Sequence, residues 1–161
     1  MLRDEPLDGA AASDLLAAFA AEIGSLYPGW HPGVGPTADP AEFVPPSGAF
    51  VVAYADGRPV GCGGVKRIDE RHGEIKRLYV APGARKSGIA RLILGVLEQR
   101  ARESGYPAVR LDTGARQPEA LALFRSAGYG DIADYNGNAF ASHWLEKSLL
   151  SSTRTGTTRP R

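Results

Sequence analysis

The chain contains a single cysteine, Cys62, so an internal disulfide is excluded and nothing points to an oxidising compartment. That cysteine stands in G-C-G-G between apparent strand residues, where a small buried filler is the plain reading. A nucleophile would want a neighbouring histidine and an activating field, and neither is evident. An excess of one charge sign is missing too. The 19 basic residues nearly balance 18 acidic ones, and setting aside Arg154, Arg159 and Arg161 in an acid-free tail leaves 16 against 18. No basic face for tracking a nucleic-acid backbone is expected. Long apolar runs are also absent. The stretch over residues 15–21 is short and closed by Glu22, and Asp4 and Glu5 replace a basic start, so neither a signal peptide nor a membrane span is expected and cytoplasm is the default location. His31, His72 and His143 are dispersed without ligand spacing, so no metal is expected.

What is present fits one globular domain over residues 1–150, with enough interior for a pocket, followed by an expected disordered basic tail over 151–161. Residues 13–27 read as an amphipathic helix with Ser13 as its cap and Pro28 as its stop. The next twenty or so residues are crowded with Pro and Gly and read as a long loop of the kind that closes over ligands. Residues 49–54 and 59–68 alternate as strands around Asp56-Gly57, a strong hairpin signal. In the third strand, over 74–80, Lys76 and Arg77 are adjacent charges that break the parity by one residue, as a β-bulge does. Ile89, Leu92, Ile93, Val96 and Leu97 give a helix one apolar face. A strand over 109–113, a helix from Pro118 to its closing Gly128, and a hairpin of 132–135 with 139–149 around Asn136-Gly137 complete the reading. The class is α+β, with helices on both faces of a mixed sheet.

Between the third strand and the next helix lies A-P-G-A-R-K-S-G-I-A. Free amide N–H groups at the start of that helix, with the positive end of its dipole, suit a phosphate or pyrophosphate. A nucleoside-triphosphate loop needs Lys and Ser or Thr after its second glycine, whereas Ile89 and Ala90 follow Gly88. A dinucleotide fingerprint fails as well, because Gly61, Gly63 and Gly64 lie inside a strand and do not give G-x-G-x-x-G. Chemistry for cradling an inert diphosphate remains.

Arg85, Gly88 and Ala90 in R-x-x-G-x-A, preceded by E-I-K-R-L-Y-V and followed downstream by A-L-A-L-F-R-S-A-G-Y, resemble the acetyl-CoA-binding motif of the GNAT superfamily of N-acetyltransferases over residues 50–149. The resemblance implies a three-layer fold, a mostly antiparallel sheet of about six or seven strands flanked by about four helices, with the bulged strand before the pyrophosphate loop. It implies acetyl-CoA as cosubstrate, held by Arg85, Lys86, Ser87, Gly88, Ile89, Ala90 and Arg91 at the pyrophosphate and by backbone groups of Leu78, Tyr79 and Val80 along the pantetheine arm. A side chain at Gly88 would hinder close approach of the amides.

Acetyl transfer needs a neutral amine, and an alkyl amine titrates near ~10.4, so a proton acceptor must be within reach. Glu74, at the head of the bulged strand, is the expected general base and borders the substrate; the alternative is a surface carboxylate paired with Lys76 or Arg67. The amide of Leu78 is the expected donor to the thioester oxygen. Relatives often carry a tyrosine acid where this chain has Phe124, which leaves Phe124 as a cofactor contact and Tyr135 as the remaining acid candidate. Gln117 replaces an asparagine that often touches cofactor. Trp30 and His31 are candidates for the acceptor pocket. The resulting expectation is direct transfer to a primary amine of a small molecule or peptide, with a non-catalytic acyl-CoA-binding module as the alternative. Dimers are common in the family, and no motif here decides that point.

Overall fold

Asp56 and Gly57 both take positive φ (50° and 75°) and close a hairpin whose two strands seed the sheet. In the computed structural model, which describes residues 1–35 and 38–150, seven strands form one mixed sheet. They are β1 (Leu2–Asp4), β2 (Ala49–Ala55), β3 (Arg58–Asp69), β4 (His72–Val80), β5 (Ala108–Thr113), β6 (Gly130–Ile132) and β7 (His143–Ser148), in the order β1-β2-β3-β4-β5-β7-β6. Only β4 and β5 run parallel. The tail over 151–161 and residues 36–37 of the long loop lie outside the described residues.

Among the described residues there are three α-helices, α1 (Ala10–Leu26), α2 (Ile89–Glu103) and α3 (Pro118–Ser126), where about four were expected. The Pro- and Gly-rich stretch after α1 cannot sustain a fourth and yields only a short 3-10 turn, Pro40–Phe43. Helix α1 begins earlier than expected, with Gly9 as its cap and Ser13 inside, because the alanine run of residues 10–12 is itself strongly helical. Strand β1, unmarked in the sequence by its brevity, pairs along β2.

Strand β2 is buried on both faces, so apolar residues follow one another without polar alternation. Ala49, Val51 and Ala53 meet Ile93, Leu94 and Leu97 of α2 and Phe124 of α3, while Phe50 and Val52 meet Ala12 and Leu15 of α1 and Phe43. This produces the expected helix, sheet, helix layering. The buried face of α2 is rotated from the expected stripe: Leu94 is 1% exposed and Leu92 is 59% exposed. Glu98 joins that face because Lys147 (2.7 Å) and the Tyr129 hydroxyl (3.1 Å) satisfy its carboxylate. The glycines of β3 make the fit possible. A Cβ on Gly63 would stand 2.9 Å from Leu97, and one on Gly64 would stand 2.5 Å from the Phe43 ring.

The last hairpin differs from expectation. Strands β6 and β7 end well short of Asn136-Gly137, and residues 133–142 form a loop. One oxygen of Asp134 accepts from the amides of Asn136 (3.0 Å) and Gly137 (2.7 Å), a side-chain turn that takes the place of ladder bonds.

Candidate active site

Two features of β4 open the sheet. Its parallel pairing with β5 covers only His72, Gly73 and Glu74, opposite Ala108, Val109 and Arg110, after which the strands part. Its pairing with β3 slips by one residue, with Cys62 opposite Tyr79 and Gly64 opposite Lys76, so Arg77 and Leu78 together face Gly63. Arg77 takes φ 59°, a left-handed conformation uncommon for a non-glycine residue. The Leu78 amide stands beside this slip, where a bulge leaves a residue without a ladder partner.

Two cavities meet there. The smaller, about 150 Å³, lies between β4, β5, α1 and the loops after α1 and β6; the larger, about 610 Å³, lies between β4, the turn before α2, and α3. Phe19, Leu78, Gln117, Ala120 and Phe124 border both. Phe124 is 5% exposed with its ring 5.9 Å from that of Tyr129, an apolar divider between the two cavities.

The larger cavity is walled by Tyr79 and Val80 of β4 and by Arg85, Lys86, Gly88, Ile89, Ala90 and Arg91. Gly88 caps α2 at φ 84° and ψ 4°, and a Cβ there would meet no protein atom within 4 Å. Its requirement is therefore the left-handed backbone, and the space it faces is open cleft. The first helical bond of α2 runs from the Leu92 amide to the Gly88 carbonyl (3.1 Å), leaving the amides of Ile89, Ala90 and Arg91 ahead of it without a helical acceptor. Arg85 is fastened to the fold: its Nε donates to the Val80 carbonyl (2.9 Å) and its terminal nitrogen to Glu22 of α1 (2.8 Å). Ser87 is not part of the wall, and its hydroxyl donates to the Ala84 carbonyl.

Glu74 lines the smaller cavity and is 5% exposed. Its carboxylate accepts from the Tyr135 hydroxyl (2.7 Å) and Asn136 Nδ2 (3.4 Å), and Lys76 Nζ stands 3.4 Å away. Burial, and then the Glu74 charge, raise the Tyr135 phenol well above its ordinary value, so that it remains a donor. Burial lowers the pKa of Lys76, opposed by the Glu74 charge. Burial also pushes the Cys62 thiol up to about 12, in keeping with an inert filler. Asp112 adds a second carboxylate to the cavity, held by Asn136 Nδ2 (2.6 Å) and Asn138 Nδ2 (3.3 Å); Asn136 Oδ1 in turn accepts from Trp144 Nε1 (3.0 Å).

The structure thus gathers Glu74, Leu78, Gln117, Phe124 and Trp30 on one wall system, with Trp30 part-buried beside Tyr27. His31 is exposed, borders neither cavity, and contacts the Pro32 carbonyl (3.1 Å). Tyr135 stands behind Glu74 and off both walls. Sequence reasoning missed Asp112, Tyr27 and the two loop asparagines. The Tyr27 hydroxyl donates to Gln117 Oε1 (3.2 Å) and accepts from the Arg116 amide (3.1 Å). Only the period-two burial of V-R-L-D-T in β5 offered a signal for Asp112, since it marks Asp112 as off the buried face.

Among the described residues no helix is long and apolar enough to cross a membrane and no cluster of ligands could hold a metal ion. The model of the Acetyltransferase (GNAT) family matches residues 16–129. An IAA acetyltransferase of Azospirillum brasilense is 35% identical over 91% of this chain and 95% of its own length. The crystal structure of a Klebsiella pneumoniae protein assigned to the acyl-CoA N-acyltransferases is similar with TM-score 0.75 and 27% identity, covering 93% of this chain and 97% of that one. A GNAT family acetyltransferase of Elizabethkingia anophelis, solved with acetyl-CoA bound, shares the fold with TM-score 0.64 and 17% identity over 92% of this chain and 98% of its own.

Proposed function

The chain belongs to the GNAT family of acetyltransferases, and from that premise we propose that it transfers the acetyl group of acetyl-CoA directly to the primary amine of a small molecule. The observation that carries this reading is the meeting of two cavities at Leu78, with Glu74 in one and the turn before α2 on the other.

Acetyl-CoA supplies an activated acetyl thioester. The larger cavity fits it: open amides at the start of α2, the left-handed Gly88, and Arg85, Lys86 and Arg91 around them suit a diphosphate, and the β4 edge at Leu78, Tyr79 and Val80 suits an extended amide-bearing arm. In this reading the Leu78 amide donates to a thioester oxygen as charge builds on it, which its position beside the register slip supports. Glu74 accepts the amine proton, directly or through water, while Tyr135 and Asn136 hold its carboxylate in position. Tyr135 is a positioning residue in this reading, because its hydroxyl is committed to Glu74. Phe124 offers no proton to the departing thiolate; a thiol with reference pKa near ~8.5 leaves without one at modest cost. A cavity of about 150 Å³ is well below the volume of drug-sized sites and favours a small acceptor over a peptide.

A binding-only module is the second reading, favoured by Phe124 alone. A panel of amines offered with acetyl-CoA, followed by free-thiol release, separates the two. The enzyme reading expects turnover of some amine and its collapse in Glu74→Gln. Tight acetyl-CoA binding with no turnover of any amine would favour the module.

A further inference from the structure

Four charged residues line the smaller cavity: Glu74, Lys76, Arg77 and Asp112. Three are answered by protein partners. Glu74 and Lys76 pair with each other, and Asp112 is held by Asn136 and Asn138. Arg77 is different. Among the described residues its guanidinium makes no ion pair and no hydrogen bond, and it lies 5.9 Å from the centre of the Phe19 ring. It is part-buried, and burial lowers its pKa, offset in part by the Asp112 charge. Among the described residues no buried side-chain nitrogen or oxygen lacks a partner, so the Arg77 nitrogens keep access to solvent, and a guanidinium that stays charged and unpaired there is free to receive an anion from outside. The backbone that aims it is the left-handed residue of the slip, and Arg77 borders the smaller cavity and not the larger one, so it faces the acceptor side. The same cavity is lined by Phe19, Tyr27, Trp30 and Phe140, an aromatic wall.

Resting on the acetyl-transfer reading of this same site, we propose that the acceptor is an amino acid with an apolar or aromatic side chain, its carboxylate received by Arg77, its amine presented to Glu74 and its side chain laid on the aromatic wall. A guanidinium takes a carboxylate through two parallel N–H donors, which fixes the orientation of the rest of the molecule. Glu74 and Arg77 lie on one strand three residues apart and on one cavity, which is where the two ends of a short zwitterion are met.

The test compares L-phenylalanine and L-tryptophan with their decarboxylated counterparts phenethylamine and tryptamine, in the full chain with acetyl-CoA. The expected result is a kcat/KM at least about tenfold higher for the acids in the parent. In Arg77→Gln the acids should lose about 100-fold more than the matched amines, mostly in KM, with partial recovery in Arg77→Lys. As a readout independent of turnover, 3-phenylpropanoate, which has the carboxylate and ring but no amine, should compete with the amino acid in the parent and bind at least about tenfold more weakly to Arg77→Gln in calorimetry. Thermal unfolding of both variants checks that the fold persists. Equal or better use of the decarboxylated amines by the parent, or an equal loss for acids and amines in Arg77→Gln, overturns the amino-acid proposal and leaves the acetyl-transfer reading standing. Absence of acetyl-CoA binding by the parent overturns both.

Discussion

The two cavities on either side of Leu78 are built in opposite ways. The larger is floored by one continuous run of chain, β4 through the turn into α2, and closed by α1 and α3, and its most telling contributors are backbone amides and a glycine. The smaller is assembled from distant segments, β4, β5, α1 and the loop over 133–142, and its contributors are charged and aromatic side chains held by one another. A backbone cradle tolerates many surface changes because its donors come with the fold. A side-chain pocket changes its ligand when one residue changes. In the proposed reading, the difference suits one half to a constant cosubstrate and the other to a particular acceptor.

The sharpest way to break that comparison is at Glu74. Glu74→Gln should lower kcat by about 10²–10⁴-fold, with acetyl-CoA affinity unchanged in calorimetry. A parallel loss of cosubstrate affinity would mean that the two cavities are not separate. Next comes Gly88→Val, which forces a β-branched residue toward φ 84° and should weaken acetyl-CoA binding about tenfold or more. Steady-state KM for the amine should move far less than KM for acetyl-CoA. Tyr135→Phe removes a donor that orients Glu74 and should cost about tenfold in kcat while leaving cosubstrate binding intact.

The same tyrosine has a stability signature. The folded phenols of Tyr135 and Tyr129 titrate above their reference value of 10.0, chiefly through burial, so above that pH the folded state retains protons that the unfolded chain releases. Their contribution is complete below pH 10 and is lost as pH rises beyond it. Denaturant midpoints measured from about pH 9 to about pH 11 should fall, and fall less steeply in Tyr135→Phe. The smallest effect belongs to Cys62→Ala, expected to change kcat by less than about twofold, since a thiol pushed up to about 12 is no acyl carrier.

The larger cavity was legible before any coordinates because its requirements are local. A glycine where φ must be positive, a charged turn, and a parity break at Lys76-Arg77 lie within a dozen or so residues of one another, and backbone geometry leaves such marks in sequence. The core strands and helices were readable for the same reason, through their periodicity. The acceptor side was not. Asp112, Tyr27 and Asn138 become neighbours only after the sheet forms, and nothing in their local sequence marks them as partners. Asn136-Gly137 misled because the same pair serves a tight hairpin or a side-chain-capped loop, and Asp134 two residues earlier tipped it to the latter. Leu92 misled because periodicity names a stripe without its rotation, which the β3 glycines and the Glu98–Lys147 pair settled in favour of Leu94.

The most direct test of the central claim is a crystal structure of the chain with acetyl-CoA. The account predicts diphosphate oxygens within hydrogen-bonding distance of main-chain N–H groups in residues 86–91, and the thioester carbonyl at the Leu78 amide on the Glu74 side of Phe124. Acetyl-CoA bound elsewhere, or with its thioester turned away from Leu78, would contradict it.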